Sequence, residues 1–289
     1  MTIRLLALVI ALLLVLWVPQ LRGLRDWRWF RRWSEECNGV HGAAHVILVL
    51  ALPAVVAGVI GAVLGSVMWL GIVWLAFAVA VLVYTLGPRY LESDIEAILE
   101  ADTPDGRSHA AQALRVHSDD DAALPVDAHA LVEAAVVSSL KRRFGVVFWF
   151  LLLGPGGAVL YRVAQLLGDN ANTDADSRSA ARRFAEAIDW LPAHLMVFAM
   201  ALVSDFDAVM RAWRAWHRSP TRSPYTFESG FLGAVARAGV NADVEAGDEG
   251  DEDTANPALE LIDTRRLLLR VLLVWLAVMA ALVLIRWMA

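Results

Sequence analysis

The side chains best suited by type and spacing to bind a polar ligand lie between residues 133 and 192. The carboxylate of Glu133 can orient a ligand amine or pair with the guanidinium group of Arg142 or Arg143. Arg162 and Asp189 lie near the predicted ends of apolar segments, where charged groups are costly and tend to be functional. The alternatives are equally simple. Glu133 is then an ordinary helix carboxylate, and Arg162 and Asp189 form an ion pair or lie at the membrane interface.

The apolar segment between these groups is interrupted by the tetrapeptide Gly154-Pro155-Gly156-Gly157. Proline removes a helix hydrogen bond, and glycine weakens the helix around it. Transporters place such breaks at their binding sites, but a simple kink explains the sequence equally well. Trp149 and Tyr161 can stack on a ligand or pack between helices. The candidate ligand-binding residues are therefore Glu133, Arg142, Arg143, Trp149, Gly154, Gly156, Tyr161, Arg162, Asp189 and Pro192, with no catalytic or metal-binding residue among them.

The remaining groups that could bind metal have simpler interpretations. His41 and His45 have metal-ligand spacing but lack a nearby third ligand, which favours a polar interfacial pair. The acidic turn 119–121 reads as a solvated turn, and the acidic stretch 243–253 as a flexible linker without the spacing of a calcium loop. The single Cys37 cannot form a disulfide within the chain.

Composition places the chain in a membrane. Hydrophobic residues make up 58% of the 289 residues and charged residues 19%, against about 25% charged in soluble domains. The 52 residues between Glu36 and Arg89 carry no Asp, Glu, Lys or Arg, which leaves room for two membrane spans. These features exclude an ordinary soluble enzyme, a disordered protein and a disulfide scaffold. Lys141 is the single lysine among 25 basic residues, a bias typical of a GC-rich genome, and no nucleic-acid-binding motif is present.

The elements that position the candidate residues follow from hydrophobic and charge patterns. We predict an all-α, polytopic integral membrane protein with five or six transmembrane helices and a broken helix at Gly154–Gly157. The arginines in 20–36 and 207–266 favour six crossings, with both segments in the cytoplasm. The predicted segments are a signal-anchor span (1–19), a basic amphipathic interfacial helix (20–44), a two-helix hairpin (45–87), a cytoplasmic helical segment (88–143), a broken transmembrane or re-entrant core (144–206), a cytoplasmic segment with an acidic linker (207–266) and a C-terminal span (267–289).

Shorter elements are predicted within the polar segments. Helices are expected over Leu91–Glu100 and Ser108–Val116, and Asp127 is expected to cap a helix that runs to Arg143. Residues 168–181 read as a polar linker. The apolar run that follows is short for a span, and so is predicted to be tilted or re-entrant.

The run from Lys141 to Arg162 resembles the core signature of the AmpE family. Asp189-Trp190-Leu191-Pro192-Ala193 and Leu86-Gly87-Pro88-Arg89 also fit. AmpE is an inner-membrane signalling modulator encoded beside a cytoplasmic muropeptide amidase. The resemblance implies a multi-pass protein of the bacterial inner membrane that acts in β-lactamase induction and cell-wall recycling. Its partners would be membrane lipid and a small-molecule ligand or the amidase, with no cofactor and no nucleic acid.

The AmpE family is in turn similar to the CobD/CbiB enzymes, which use ATP to join adenosylcobyric acid to an aminopropanol or its phosphate. Glu133 matches a glutamate of those enzymes, but their Glu-Asn and Asp-Gly pairs are replaced by 137–138 and 141–142. Their Asn-Thr-Leu-Asp is replaced by 165–168, and their Leu-Pro-Ala-Arg ends here in His194. Acidic groups suited to Mg²⁺ and ATP are therefore missing, which favours a signalling relative over an enzyme. The alternative is a divergent amide ligase that uses ATP and Mg²⁺; a small transporter is a third hypothesis.

Overall fold

The computed structural model confirms an all-α membrane protein. Its described residues form helices and contain no β-strand. Three helices are long and apolar enough to cross a membrane, namely those over Ala43–Ser66, Ala175–Val203 and Pro257–Ile285. Shorter apolar helices cover Thr2–Val15, Gly71–Thr85 and Phe231–Val240. The structure describes residues 2–17, 26–37, 39, 41–67, 71–86, 91–115, 124–170, 172–218, 229–247 and 257–288.

Thirteen α-helices lie within the described residues. A 3₁₀ turn over Gln112–Leu114 and a π turn over Leu140–Phe144 join some of them. In chain order the helices are α1 (Thr2–Trp17), α2 (Arg28–Glu36), α3 (Ala43–Ser66), α4 (Gly71–Thr85), α5 (Leu91–Leu99), α6 (Pro104–Ala111), α7 (Ala128–Ser139), α8 (Gly145–Leu153), α9 (Pro155–Gly168), α10 (Ala175–Val203), α11 (Phe206–His217), α12 (Phe231–Gly247) and α13 (Pro257–Met288).

Side-chain caps set several helix starts. The predicted cap at Asp127 is confirmed, because its Oδ1 accepts a hydrogen bond from the backbone N–H of Ala130 at 2.7 Å. The helix predicted over Ser108–Val116 instead runs from Pro104 to Ala111. It starts earlier because Pro104 occupies its first turn and the Thr103 hydroxyl accepts from the backbone of the third residue.

The predicted linker 168–181 is wrong in its second half. Asp174 accepts a hydrogen bond from the backbone N–H of Ser177 at 2.9 Å and so starts α10 inside the linker. The helix then continues through Pro192 to Val203, a length of 29 residues. It is therefore longer than the apolar run predicted from the sequence. At the other end of the chain, α13 begins at Pro257, ahead of the predicted start of the last span at residue 267.

Some predictions fall outside the described residues. These are the first part of the amphipathic helix (residues 18–25), the Gly87–Arg89 motif, the acidic turn 119–121 and most of the acidic linker (248–256). The part of the amphipathic helix that is described is α2. The number of crossings stays a prediction.

The chain divides into two compact units. The first comprises Met1–Pro88, Lys141–Ile188 and Met279–Ala289. In it α3 packs along α9, α1 packs along α4, and α8 packs back against α9. Its core joins α2 to these helices through a buried cluster formed by Trp27, Phe30, Val46, Val49, Leu50, Val163, Ala164, Leu167 and Ala181.

The second unit comprises Arg89–Leu140 and Asp189–Val278. Its central helix is α12, which packs against both α7 and α11. Buried aliphatic residues line these contacts, among them Leu131 and Val132 of α7, Val209 of α11 and Leu232 of α12. Residues on α12 can therefore meet side chains from two neighbouring helices.

Candidate functional site

The helix break in the first unit is one residue wide. Helix α8 ends at Leu153, Gly154 adopts φ +75°, and α9 begins at Pro155. Gly156 and Gly157 lie within α9. The positive φ explains the glycine at 154, since a side chain there would be strained. Proline suits the first position of α9 because its missing N–H would have no helical partner there.

The carbonyl groups at the end of α8 are satisfied by a side chain of α1. Nη1 of Arg4 donates hydrogen bonds to the carbonyl oxygens of Leu151 at 2.9 Å and Leu152 at 3.2 Å. The backbone N–H of Gly154 closes the last turn by donating to Phe150 at 2.7 Å. A cation at a helix C-terminus also complements the helix dipole. The break is thus capped by protein groups.

Glycines next to the break allow the helices of the first unit to approach closely. A Cβ on Gly156 would lie 2.8 Å from the carbonyl oxygen of Ala54 and 2.9 Å from Cα of Gly58, both on α3. Tyr161 of α9 is fully buried against Gly145 of α8, where a Cβ would fall 2.1 Å from the ring. These positions make the contacts of a packed helical scaffold, and the ligand-binding role proposed for them stays a prediction.

The other predicted residues divide between the units. The first unit contains Arg142 and Arg143 in the π turn, Trp149, which donates to the Ile188 carbonyl at 3.1 Å, and Arg162, which is 7% exposed. The second unit contains three of the predicted residues: Glu133 on α7, and Asp189 and Pro192 on α10.

The side chain of Glu133 lies against the backbone of α12. A Cβ on Gly233 would fall 2.5 Å from Cγ of Glu133, and a Cβ on Gly230 would lie 3.8 Å from its Oε1. The side chain therefore runs along α12 from Gly233 towards Gly230. The absence of side chains at both glycines is what makes room for the half-buried carboxylate.

Towards the C-terminal side of Gly233, α12 borders an open depression of about 510 Å³. Nε of Arg237 donates to the carbonyl of Gly233 at 3.3 Å, so the guanidinium lies one turn from the Glu133 contact. Helices α7 and α13 both begin at the depression, where Asp127 caps the N-terminus of α7 and Glu260 lies in the first turn of α13. The lining consists of Asp127, Ala128, His129, Ala130, Arg237, Pro257 and Glu260.

On the N-terminal side of α12, five rings form an aromatic cluster: Trp190, His194, Trp213, His217 and Phe231. The His194 ring centroid lies 4.3 Å from that of Trp190 and 4.8 Å from that of Phe231. Nδ1 of His194 is 2.7 Å from the Trp190 carbonyl, and Nδ1 of His217 is 2.8 Å from the Trp213 carbonyl. A carbonyl only accepts, so each Nδ1 carries a proton.

Three features thus follow one another along α12. The aromatic cluster meets it at Phe231, Glu133 meets it at Gly230 and Gly233, and the depression meets it at Arg237. Arg237 lies six positions after Phe231, which corresponds to a rise of about 9 Å along the helix axis. This strip can hold an apolar ring system at one end, an amine beside the carboxylate and an anion at the other end.

Sequence reasoning missed most of this strip. Arg237 was one arginine among several in 207–266, and His194 was noted only as a departure from a pattern. The spacing of Gly230, Gly233 and Arg237, at i, i+3 and i+7, was the available signal, because it puts all three on one face of a helix.

The described residues contain no group of three or more His, Cys, Asp and Glu side chains that could hold a metal ion. His45 and His41 have different neighbours. Nδ1 of His45 lies 3.2 Å from the Cys37 carbonyl oxygen, and Nδ1 of His41 lies 3.5 Å from the Asp174 carboxylate. In the described part of the chain, these two histidines therefore belong to no metal-ligand cluster.

Comparison with known proteins decides the family. The sequence profile of the family described as CobD/Cbib protein matches residues 8–241. The chain belongs to the CobD/Cbib family. It is 34% identical over 119 residues to the cobalamin biosynthesis protein CobD of Chromobacterium violaceum, a match that covers 40% of this chain and 36% of that protein. No solved structure matches the chain.

A second relative is the cobalamin biosynthesis protein CobD of Stutzerimonas stutzeri, which is 29% identical over 183 residues. That match covers 60% of this chain and 56% of the relative. The chain thus spans about a third to just over half of the length of these curated relatives.

The family assignment shows that the AmpE interpretation is wrong, and with it the predicted role as a signalling modulator of β-lactamase induction. The matching profile is that of CobD/Cbib proteins, and both relatives are named as cobalamin biosynthesis proteins. The error has a physical cause. The residues that carried the AmpE resemblance, such as Gly156 and Tyr161, pack α3, α8 and α9 together. They indicate a shared scaffold, which does not determine function.

Proposed function

We propose that this member of the CobD/Cbib family is an ATP-dependent amide ligase of cobamide assembly. It would join a carboxylate of a corrinoid to the amine of an aminopropanol or its phosphate. The observation that carries the proposal is the packing of the Glu133 side chain against α12, between the aromatic cluster and the depression at Arg237. Family membership and the two cobalamin-biosynthesis relatives support it.

The chemistry assigns a task to each part of the strip. The terminal phosphoryl group of ATP is transferred to a carboxylate oxygen of the corrinoid and ADP departs, and the amine nitrogen then attacks the carboxyl carbon. The C–N bond forms, the activated oxygen departs with the phosphoryl group as phosphate, and the amine loses a proton. Glu133 is the group in the strip that can orient the amine and accept this proton.

The depression at Arg237 provides a place for phosphate. Arg237 and His129 can donate hydrogen bonds to phosphate oxygens, in a lining that also contains the carboxylates of Asp127 and Glu260.

The proposal includes a location. Three helices of membrane-spanning length and the family match support a multi-pass protein of the bacterial inner membrane. Membrane lipid then surrounds the spanning helices. ATP and the corrinoid reach the second unit from the cytoplasm.

The test is a ligation assay on detergent-purified protein. Adenosylcobyric acid, aminopropanol phosphate and ATP with Mg²⁺ are supplied, and the amide product is measured by mass spectrometry. We expect product from the wild type and a loss of at least about tenfold in kcat for Glu133→Gln, within the usual range for a catalytic base. The control Glu100→Gln changes an exposed carboxylate of the same unit and should leave the rate unchanged. A folded wild type without product, or a fully active Glu133→Gln, would overturn the proposal.

A further inference from the structure

We propose that Nε2 of His194 coordinates the cobalt of the corrinoid substrate, an inference that rests on the proposed function. His194 lies on α10 in the aromatic cluster of the second unit. It occupies the position of the arginine in the Leu-Pro-Ala-Arg motif of the CobD/CbiB enzymes that the chain resembles. The site is therefore a property of this chain, beyond the ligation chemistry assigned to Glu133.

The hydrogen bond at the other ring nitrogen prepares His194 for metal ligation. Nδ1 donates to the Trp190 carbonyl at 2.7 Å, one helical turn earlier. In neutral imidazole this leaves the lone pair on Nε2, and within the described part of the chain no residue donates a hydrogen bond to it. Histidines that bind metals commonly donate their second N–H to a carbonyl or carboxylate, which fixes both the tautomer and the ring orientation.

The surroundings of His194 suit a large flat ligand. The Trp190 and Phe231 rings hold the half-buried imidazole, with centroids 4.3 and 4.8 Å away, and Trp213 packs edge-on at 6.1 Å. Trp190 is 44% exposed, so the cluster also presents apolar ring surface to a ligand. Aromatic surface of this kind packs well against the apolar periphery of a macrocycle.

The number of available ligands favours corrin cobalt over a free metal ion. A free Zn²⁺ ion requires about four protein or solvent ligands, and the described residues offer no group of three. The corrin ring already supplies four nitrogen ligands to its cobalt, so a single axial imidazole completes a site. His217, whose ring centroid is 6.1 Å from that of His194, is more exposed and less enclosed by rings.

The position of His194 agrees with the place of the proposed chemistry. Its ring contacts Phe231, and the residue before Phe231 is Gly230, which adjoins Oε1 of Glu133. A corrinoid held through its cobalt at His194 would therefore have its peripheral carboxylates close to Glu133.

The test is electron paramagnetic resonance of cob(II)yric acid, a corrinoid that has no nucleotide base and keeps the free carboxylate used in ligation, bound to the detergent-purified protein in imidazole-free buffer. An axial ¹⁴N ligand has a nuclear spin of one and splits each cobalt hyperfine line into a triplet. We expect the triplet in the wild type and in His217→Gln, and its loss in His194→Gln. Loss in His217→Gln with retention in His194→Gln would overturn the assignment.

Two measurements on the same samples separate this inference from the proposed function. Corrinoid retained after gel filtration is measured by absorbance, and ligation is assayed as above. Retention and ligation by a wild type that lacks the triplet would overturn cobalt ligation by His194 and leave the ligase proposal standing. A wild type that neither retains the corrinoid nor ligates it would overturn the ligase proposal itself. Thermal unfolding of His194→Gln checks that the variant is folded, and His109→Gln, an exposed histidine of the same unit, is the control for histidine loss.

Discussion

The ring of Tyr161 lies so close to the backbone of Gly145 that a methyl group at position 145 would fall 2.1 Å from Cζ of the ring. The two residues lie on opposite sides of the helix break, on α9 and α8. Because Tyr161 is fully buried, its ring has no free space into which it can move. The break is therefore held by packing on both sides.

This contact predicts a stability defect in Gly145→Ala. Overpacking of this kind costs about 1–3 kcal/mol in a well-packed core, even though alanine favours the helix itself. Thermal unfolding in detergent would measure the loss as a lower Tm. The control is Gly71→Ala, where an added Cβ meets no atom within 4 Å. Equal Tm values for the two variants would contradict the packing of Tyr161 on Gly145.

The crossing of α3 and α9 predicts an asymmetry between two facing glycines. A Cβ on Gly156 would meet backbone atoms of Ala54 and Gly58 at under 3 Å, whereas a Cβ on Gly58 would meet only Cα of Gly156, at 3.9 Å. Backbone atoms cannot rotate away, so Gly156→Ala must separate the helices. We expect Gly156→Ala to lower the Tm clearly and Gly58→Ala to be tolerated. A similar decrease in Tm for both variants would contradict the close approach of α9 to the backbone of α3 at Gly156.

The fold class and several elements could be predicted because their signals are local. An apolar stretch of membrane length predicts a span, and Asp127 before an apolar run predicts a cap. The start of α10 was missed because the polar residues after Asp174 resemble a linker. Its helix is decided by the cap on Ser177 together with the burial of Ala181 in the core of the first unit.

The candidate site was only partly predictable because it depends on contacts between helices distant in the chain. Glu133 was found from its residue type and family position. Gly233, which it contacts, and Arg237, one turn further along α12, follow about a hundred residues later, and no local pattern pairs them with α7. The resemblance to AmpE gave a wrong function because it rests on residues that pack helices together. The pattern of such residues is shared among proteins with different functions.

The hydrogen bonds of Arg4 predict that this residue stabilises the end of α8. Arg4→Met keeps the length of the side chain but removes both donors to the carbonyls of Leu151 and Leu152. We expect a loss of about 1.5–3 kcal/mol, the range for hydrogen bonds to charged groups. Chemical unfolding in detergent measures it, with the exposed Arg211→Met as the control. If both variants unfold at the same denaturant concentration, Arg4 does not cap α8.

The carboxylate that starts α10 predicts an acid-sensitive contribution to stability. Hydrogen bonds from the backbone and hydroxyl of Ser177, and then His41, lower the pKa of Asp174 from 3.8 to about 2. The ionised form is favoured in the folded state, so its contribution is complete above about pH 4. It is lost as the pH falls towards 2.

Asp174→Asn tests this dependence, because asparagine can still cap the helix but cannot titrate. We expect the Tm of the wild type to exceed that of the variant by a constant amount above pH 4. The gap should narrow as the pH falls from 4 to 2. A gap that stays constant over this range would contradict the lowered pKa of Asp174. The exposed variant Asp102→Asn controls for the general effect of removing one carboxylate.

The close contact between Gly233 and Glu133 predicts that a methyl group can impair ligation without touching a reacting group. A Cβ at position 233 would fall 2.5 Å from Cγ and 2.8 Å from Cβ of Glu133, so Gly233→Ala must displace the carboxylate. Small displacements of a catalytic group cost about a hundredfold in rate, and we expect kcat of Gly233→Ala to fall by about tenfold to a hundredfold. Ligation kinetics measure the change.

The matched control is Gly239→Ala, which adds the same methyl group to the same helix. Its Cβ meets the hydroxyl of Ser204 at 2.8 Å, and a serine side chain can rotate away. We expect Gly239→Ala to ligate at the wild-type rate, while both variants gain the same intrinsic helix propensity. If Gly233→Ala ligates as fast as Gly239→Ala and remains folded, ligation does not require the Glu133 side chain to stay in its position against α12. The carboxylate would then be only a structural contact between α7 and α12.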